Sequence, residues 1–102
     1  MSEHAVIVHF EYGSKDLQRL FELEDQLERA VEVQGVGEFD GNEIAVDGSD
    51  GSFYMYGPDA DRLFAAIRPV LLATTAVKSA VATLRYGPPE DGVREQKIKI
   101  AA

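Results

Sequence analysis

Residues 5–12 run AVIVHFEY and stop at Gly13. β-Branched and aromatic residues suit an extended, half-buried backbone, so a strand is expected here. Successive side chains of a strand point to opposite faces. Val6, Val8, Phe10 and Tyr12 therefore share one face, and Ala5, Ile7, His9 and Glu11 the other. The first set is the more apolar and is expected to lie under helices. The second sends a histidine, mid-strand, to the uncovered side.

Downstream, Ser14 or Asp16 can cap a helix reaching about Val31. Leu17, Leu20, Phe21, Leu27 and Val31, with Leu23 beside them, recur at helical spacing, and Glu22, Glu24, Asp25 and Glu28 take the rest of the cylinder. Gly35 and Gly37 stop it. Val36 to Val46 reads as one irregular strand with a turn or bulge at Asp40-Gly41, and the turn DGSDG (47–51) makes it a hairpin with Ser52 to Tyr56. Gly57-Pro58-Asp59 opens a second helix, where Asp59 and Asp61 complement the positive end of the helix dipole. Leu63, Phe64, Ile67, Val70, Leu71 and Thr74 keep its period, and Pro69 predicts a kink or a break. Ser79 to Tyr86 is the last long strand. The loop GPPEDG (87–92) then leads to Val93–Ile100, an alternating edge strand protected by its lysines. Strand, helix, strand, strand, helix, strand, plus one more strand, is the order of an α+β, ferredoxin-like βαββαβ sandwich with an extra C-terminal strand. A single domain over residues 1–102 is expected, with right-handed crossovers placing both helices on one side of an antiparallel sheet.

The composition fits a packed globule, with 45% hydrophobic and 27% charged residues. Cysteine is absent, which removes disulfides, thiolate metal sites and a cysteine nucleophile, and fits a reducing cytoplasm. The start carries no basic segment followed by an apolar run, and the longest apolar stretches, Ala5 to Val8 and Val70 to Ala73, fall far short of a bilayer span. A cytoplasmic protein is the expectation. Ten Lys and Arg stand against eighteen Asp and Glu, a net charge of −8 that repels nucleic acid and anionic membranes but attracts a basic protein.

Motifs for chemistry are few. His4 and His9 are five positions apart, so on a strand they point to opposite faces and cannot share a metal. The stretch from Asp47 to Gly51 lacks the glycine and the distal glutamate of a calcium loop, because Ser52 and Pro58 stand there. No glycine-rich phosphate loop opens a helix, and Asp59 and Asp61 oppose an anion at the second one. Ser2, Ser14, Ser49, Ser52 and Ser79 lack a nucleophile-elbow context. The carboxylate pairs Glu24-Asp25, Asp59/Asp61 and Glu90-Asp91 fall where solvation explains them. The aromatic run from Phe53 to Tyr56 lacks the basic and glycine residues of an RNA-stacking sheet. No metal or cofactor is expected.

One surface remains. The uncovered sheet face is expected to carry Ile7, His9, Glu11, Thr83 and Arg85 with either Tyr54 and Tyr56 or Phe53 and Met55, of which the tyrosines are taken for the site. Exposed apolar groups beside polar ones mark a partner surface. The leading expectation is a non-catalytic interaction module, forming a homodimer through its sheets or blocking a basic protein. A small-metabolite-sensing domain and a cofactor-free dimeric enzyme with His9 as base are the alternatives.

Three phrases carry a family likeness. Gly37 to Glu43 (GEFDGNE), Tyr56 to Phe64 (YGPDADRLF) and Thr83 to Pro89 (TLRYGPP) resemble those of a family of small uncharacterised bacterial proteins. The resemblance covers about half the chain. Some similar acidic small proteins act as toxin immunity proteins, which implies an inhibitor of a basic partner as one form of the interaction reading.

Overall fold

The computed structural model describes residues 3–100, so Ser2, weighed above as a nucleophile, lies outside the described residues. Along the chain come β1 (His4–Glu11), α1 (Gln18–Gln34), β2 (Glu38–Ile44), β3 (Asp50–Gly57), α2 (Ala60–Ala73), β4 (Lys78–Arg85) and β5 (Glu95–Lys99). The architecture is α+β: all five strands join one antiparallel sheet in the order β2-β3-β1-β4-β5. Among the described residues no helix is long and apolar enough to cross a membrane.

β1 is the central strand, and its alternation holds from Val6 to Glu11; Ala5, on the other face, is fully buried too. Val6, Val8 and Phe10 are fully buried, alongside Phe53 and Met55 of β3 and Ala82 and Leu84 of β4. Leu20, Leu23, Leu27 and Val31 of α1 and Leu63, Ile67 and Leu71 of α2 complete a single core on that side. The Phe10 and Phe53 rings stack with centroids 4.5 Å apart, and Phe39 tilts against Phe53 at 5.9 Å. Such pairs add about 0.5–1.5 kcal/mol beyond the area they bury. No polar or charged side chain among the described residues is buried.

α1 differs from its expected course. Leu17 stands at the N-cap without a side-chain cap; Asp16 accepts instead from the Gln18 N–H at 3.1 Å, and Ser14 from the Asp16 N–H at 3.0 Å. The helix runs past Val31 to Gln34. Gly35 then turns left-handed (φ 62°), and the Gly35 and Val36 N–H groups bond back to the Glu32 and Val31 carbonyls. The buried stripe is Leu20, Leu23, Leu27 and Val31, spaced by three and four; Phe21 lies one step round the cylinder and is 48% exposed. In α2, Asp59 is the N-cap, its Oδ1 accepting from Asp61 and Arg62 N–H at 3.0 and 3.2 Å. Pro69 does not break this helix, which runs continuously through it to Ala73. Pro69 and Ala65, the residue whose carbonyl loses its donor, are both exposed, so water can satisfy that carbonyl.

β2 is one strand, with Asp40 the extra residue of a bulge between the pairs Phe39–Met55 and Gly41–Tyr54. In the β2–β3 turn Asp47 Oδ1 accepts from the Ser49 N–H, and the Ser49 side chain and backbone together hold that carboxyl below its usual range. Gly48 closes the turn with φ 73° and lies so near the Ser14 carbonyl that no side chain fits.

Candidate functional site

Strand register assembles the open face. Ile7 lies between Tyr54 and Thr83, Ala5 between Tyr56 and Arg85, His9 between Ser52 and Val81, and Glu11 between Asp50 and Lys78. The seven residues singled out in the sequence (Ile7, His9, Glu11, Tyr54, Tyr56, Thr83 and Arg85) thus share one face. β3 settles the open alternative: Phe53 and Met55 are fully buried on the helix side, and Tyr54 and Tyr56 point the other way, half-buried. Ile7, Val81, Thr83 and Arg85 are half-buried as well, and His9 and Glu11 are exposed.

His9 is held by two neighbours that the sequence had not placed. Its Nδ1 lies 3.1 Å from Ser52 Oγ, and its Nε2 lies 3.4 Å from Asp50 Oδ2. Asp50 and Ser52 are two apart on β3 and so share a face, and Ser52 is the cross-strand partner of His9. With Nδ1 unprotonated, the imidazole accepts the Ser52 hydroxyl; with both nitrogens protonated, it pairs with Asp50. Its side chain is 56% exposed. The depressions beside it, about 470 Å³ towards Lys78 and Ser79 and about 240 Å³ towards Glu43 and Ile44, are shallow and open to solvent. The arrangement orients a hydrogen-bonding group outward; it does not enclose one.

A bulge in β4 lies next to His9. Register shifts between the pairs His9–Val81 and Glu11–Lys78, and Ser79 takes a left-handed backbone (φ 54°), a conformation that a non-glycine residue adopts at a cost of roughly 1 kcal/mol. The shift brings Lys78 opposite Glu11. No residue type in the strand announced it.

The outer strands complete the face. Glu38 and Glu43 of β2 pair with Tyr56 and Ser52, and Glu95, Lys97 and Lys99 of β5 pair with Arg85, Thr83 and Val81. Charge is thereby segregated, acidic at β2–β3 and mostly basic at β4–β5. Arg85 also donates through Nε to the Gly87 carbonyl at 2.8 Å. Lys97 and Lys99, read in the sequence only as edge protection, belong to this surface; the alternation of β5 carried that signal, but only the register says which face it means.

His4, given no role from the sequence, has a structural one. Its Nδ1 accepts from the Ala60 N–H at 3.0 Å, at the start of α2, and its ring meets Tyr86 edge-on at 5.7 Å. The Tyr86 hydroxyl donates to Asp61 Oδ1 at 2.6 Å, lies 3.1 Å from Gln96 Oε1, and carries Arg94 over its ring. The bond to Asp61, more than desolvation, raises the Tyr86 pKa. The backbones at Gly37 and Gly57 come close to their neighbours at this end of the sheet. A Cβ on Gly37 would stand 2.1 Å from the Tyr56 carbonyl oxygen, and one on Gly57 would stand 2.3 Å from that of Val36. Both glycines permit that close backbone approach.

On the helix side, Glu24 of α1 accepts from Asn42 Nδ2 of β2. Desolvation first, then Asp25 and Glu28, raise its pKa. Among the described residues no three His, Asp or Glu side chains stand close enough to hold a metal ion. Compared with protein-family models, with curated proteins and with solved structures, the chain matched none.

Proposed function

We propose that this chain is a protein-interaction module, without catalysis of its own, that works through the open face of its sheet. One observation carries the reading: helices cover a single side of the sheet, and the other side gathers Ile7, Tyr54, Tyr56 and Val81 at its middle with charged side chains along both flanks. An apolar centre with a polar rim is the anatomy of protein interfaces, and Tyr and Arg are favoured there. The exposure of His9 supports a contact role, since a general base works in a site that closes around its substrate.

In the same reading the topology is a ferredoxin-like sandwich with one added strand. Its support is the position of β1 between β3 and β4, with β2 outside β3 and both helices sharing one core. The net charge of −8 favours a second form of the reading, an immunity-type inhibitor of a basic protein.

A photo-reactive amino acid at Thr83 on the open face, compared with one at exposed Gln26 on α1, tests the reading in cells. The expected result is a discrete covalent adduct from Thr83, with this chain or another protein, and none from Gln26. Adducts confined to Gln26, or none from either position, would contradict a role for the open face.

A further inference from the structure

The flanks of the open face carry opposite charge, and their arrangement fits a particular partner. Row by row across β2-β3-β1-β4-β5, the register gives Glu38–Tyr56–Ala5–Arg85–Glu95, then Gly41–Tyr54–Ile7–Thr83–Lys97, then Glu43–Ser52–His9–Val81–Lys99, with Asp50–Glu11–Lys78 at the end. The bulge residue Asp40 adds a further acid beside Gly41. β1 is the middle strand, so a rotation about an axis lying along it exchanges the acidic flank with the basic one.

We propose that the occupant of the open face is a second copy of this chain, packed face to face about a twofold axis parallel to the strands, with β2 of each copy over β5 of the other. The inference rests on the interaction reading above and names the partner of the same face. In this arrangement Glu43 meets Lys99 of the second copy, Asp50 meets Lys78, Asp40 approaches Lys97, and Tyr56 lies against Arg85. Each contact occurs twice, as an isologous interface requires. Ile7 and His9 meet their own copies on the axis, among Tyr54, Thr83, Val81 and Ser52. Two like pairs remain, Glu38 over Glu95 and Glu11 over its copy, at the rim where water screens them. The other face-to-face twofold, running across the strands, stacks β2 on β2 and β5 on β5, so that acids oppose acids and lysines oppose lysines. Charge selects the first arrangement.

The footprint is adequate. Five strands spaced about 4.8 Å apart, with about 3.3 Å per residue along them, present roughly 600 Å² per copy, or about 1,200 Å² in all, the lower end for specific interfaces. Facing sheets pack with strand directions within about 30° of each other, which keeps β2 over β5.

Sedimentation equilibrium on the purified full chain, over a range of concentration and salt, tests the proposal with three variants: Ile7→Arg, Glu43→Lys and Lys99→Glu. The altered residues lie on the open face, and thermal melts check that each variant stays folded. The wild type is expected to be a dimer that weakens with salt. Ile7→Arg, which sets two cations together on the axis, is expected to be monomeric. Glu43→Lys and Lys99→Glu each turn two attractive contacts repulsive, and each is expected to raise the dissociation constant about tenfold. Mixed in equal amounts, these two restore both pairs and are expected to form a heterodimer near wild-type affinity. A monomeric wild type overturns the self-association; adducts from Thr83 to another protein would then leave the interaction reading standing. A dimer indifferent to Ile7→Arg places the contact elsewhere, and failure of the mixture to recover contradicts the strand-parallel axis.

Discussion

Two faces of one strand differ by a shift of a single residue. On one, Val6, Val8 and Phe10 face the helix side and lose all contact with water; on the other, Ala5 is covered, Ile7 keeps part of its surface, and His9 and Glu11 are exposed. Tyr54 and Tyr56 stand to Phe53 and Met55 as Ile7 stands to Val6 and Val8. Covering a large apolar side chain contributes about 1.5–3 kcal/mol, and the covered face has spent that gain on folding. The open face still holds apolar area that water touches, and association is the way to remove it. Substitutions on the two sides should therefore report on different equilibria.

The largest effect on folding is expected at Phe53, stacked on Phe10 and touched by Phe39. Phe53→Ala should lower unfolding free energy in urea by about 3–5 kcal/mol, whereas Ile7→Arg on the open side should change it by no more than about 0.5 kcal/mol in the monomer. Equal losses at the two sites would erase the distinction between the faces. At the sheet end where backbones touch, Gly57→Ala should cost about 1–3 kcal/mol, because its methyl must displace the Val36 carbonyl. Asp59→Ala, removing the acceptor for two N–H groups at the start of α2, should cost about 1 kcal/mol in the same measurement.

The smallest effect concerns pH. The raised pKa of Glu24 means that the fold favours its protonated form. Its contribution to stability is therefore most favourable below the usual glutamate range and declines as pH rises through the shifted value. Glu24→Gln should remove that decline and gain a few tenths of a kcal/mol, about what a solvent-screened group can give, at neutral pH and nothing in acid. A gain that persists unchanged in acid would refute the cause.

The alternation in residues 5–12 told which side of β1 would be covered, and it placed His9 in the open before any pairing was known. The choice of Tyr54 and Tyr56 over Phe53 and Met55 lacked a signal of its own, because one strand's pattern says nothing about its phase relative to the next. Asp50 and Ser52 escaped notice beside His9 for the same reason: they are distant in sequence and adjacent only through register. The bulge at Ser79 and the arrival of Lys97 and Lys99 on the open face are likewise products of pairing. Phe21 was misplaced because an apolar residue at helical spacing can sit at the stripe's margin. Pro69 did not break α2, because a helix tolerates proline where the unpaired carbonyl meets water.

Chemical-shift mapping of the isotopically labelled chain during a concentration series examines the open face most directly. The account requires changes concentrated at Ile7, Tyr54, Thr83, Val81 and the backbone of β5, with α1 and α2 silent. Changes gathered on the helices instead, or spectra that do not alter with concentration or with any protein partner, would contradict it.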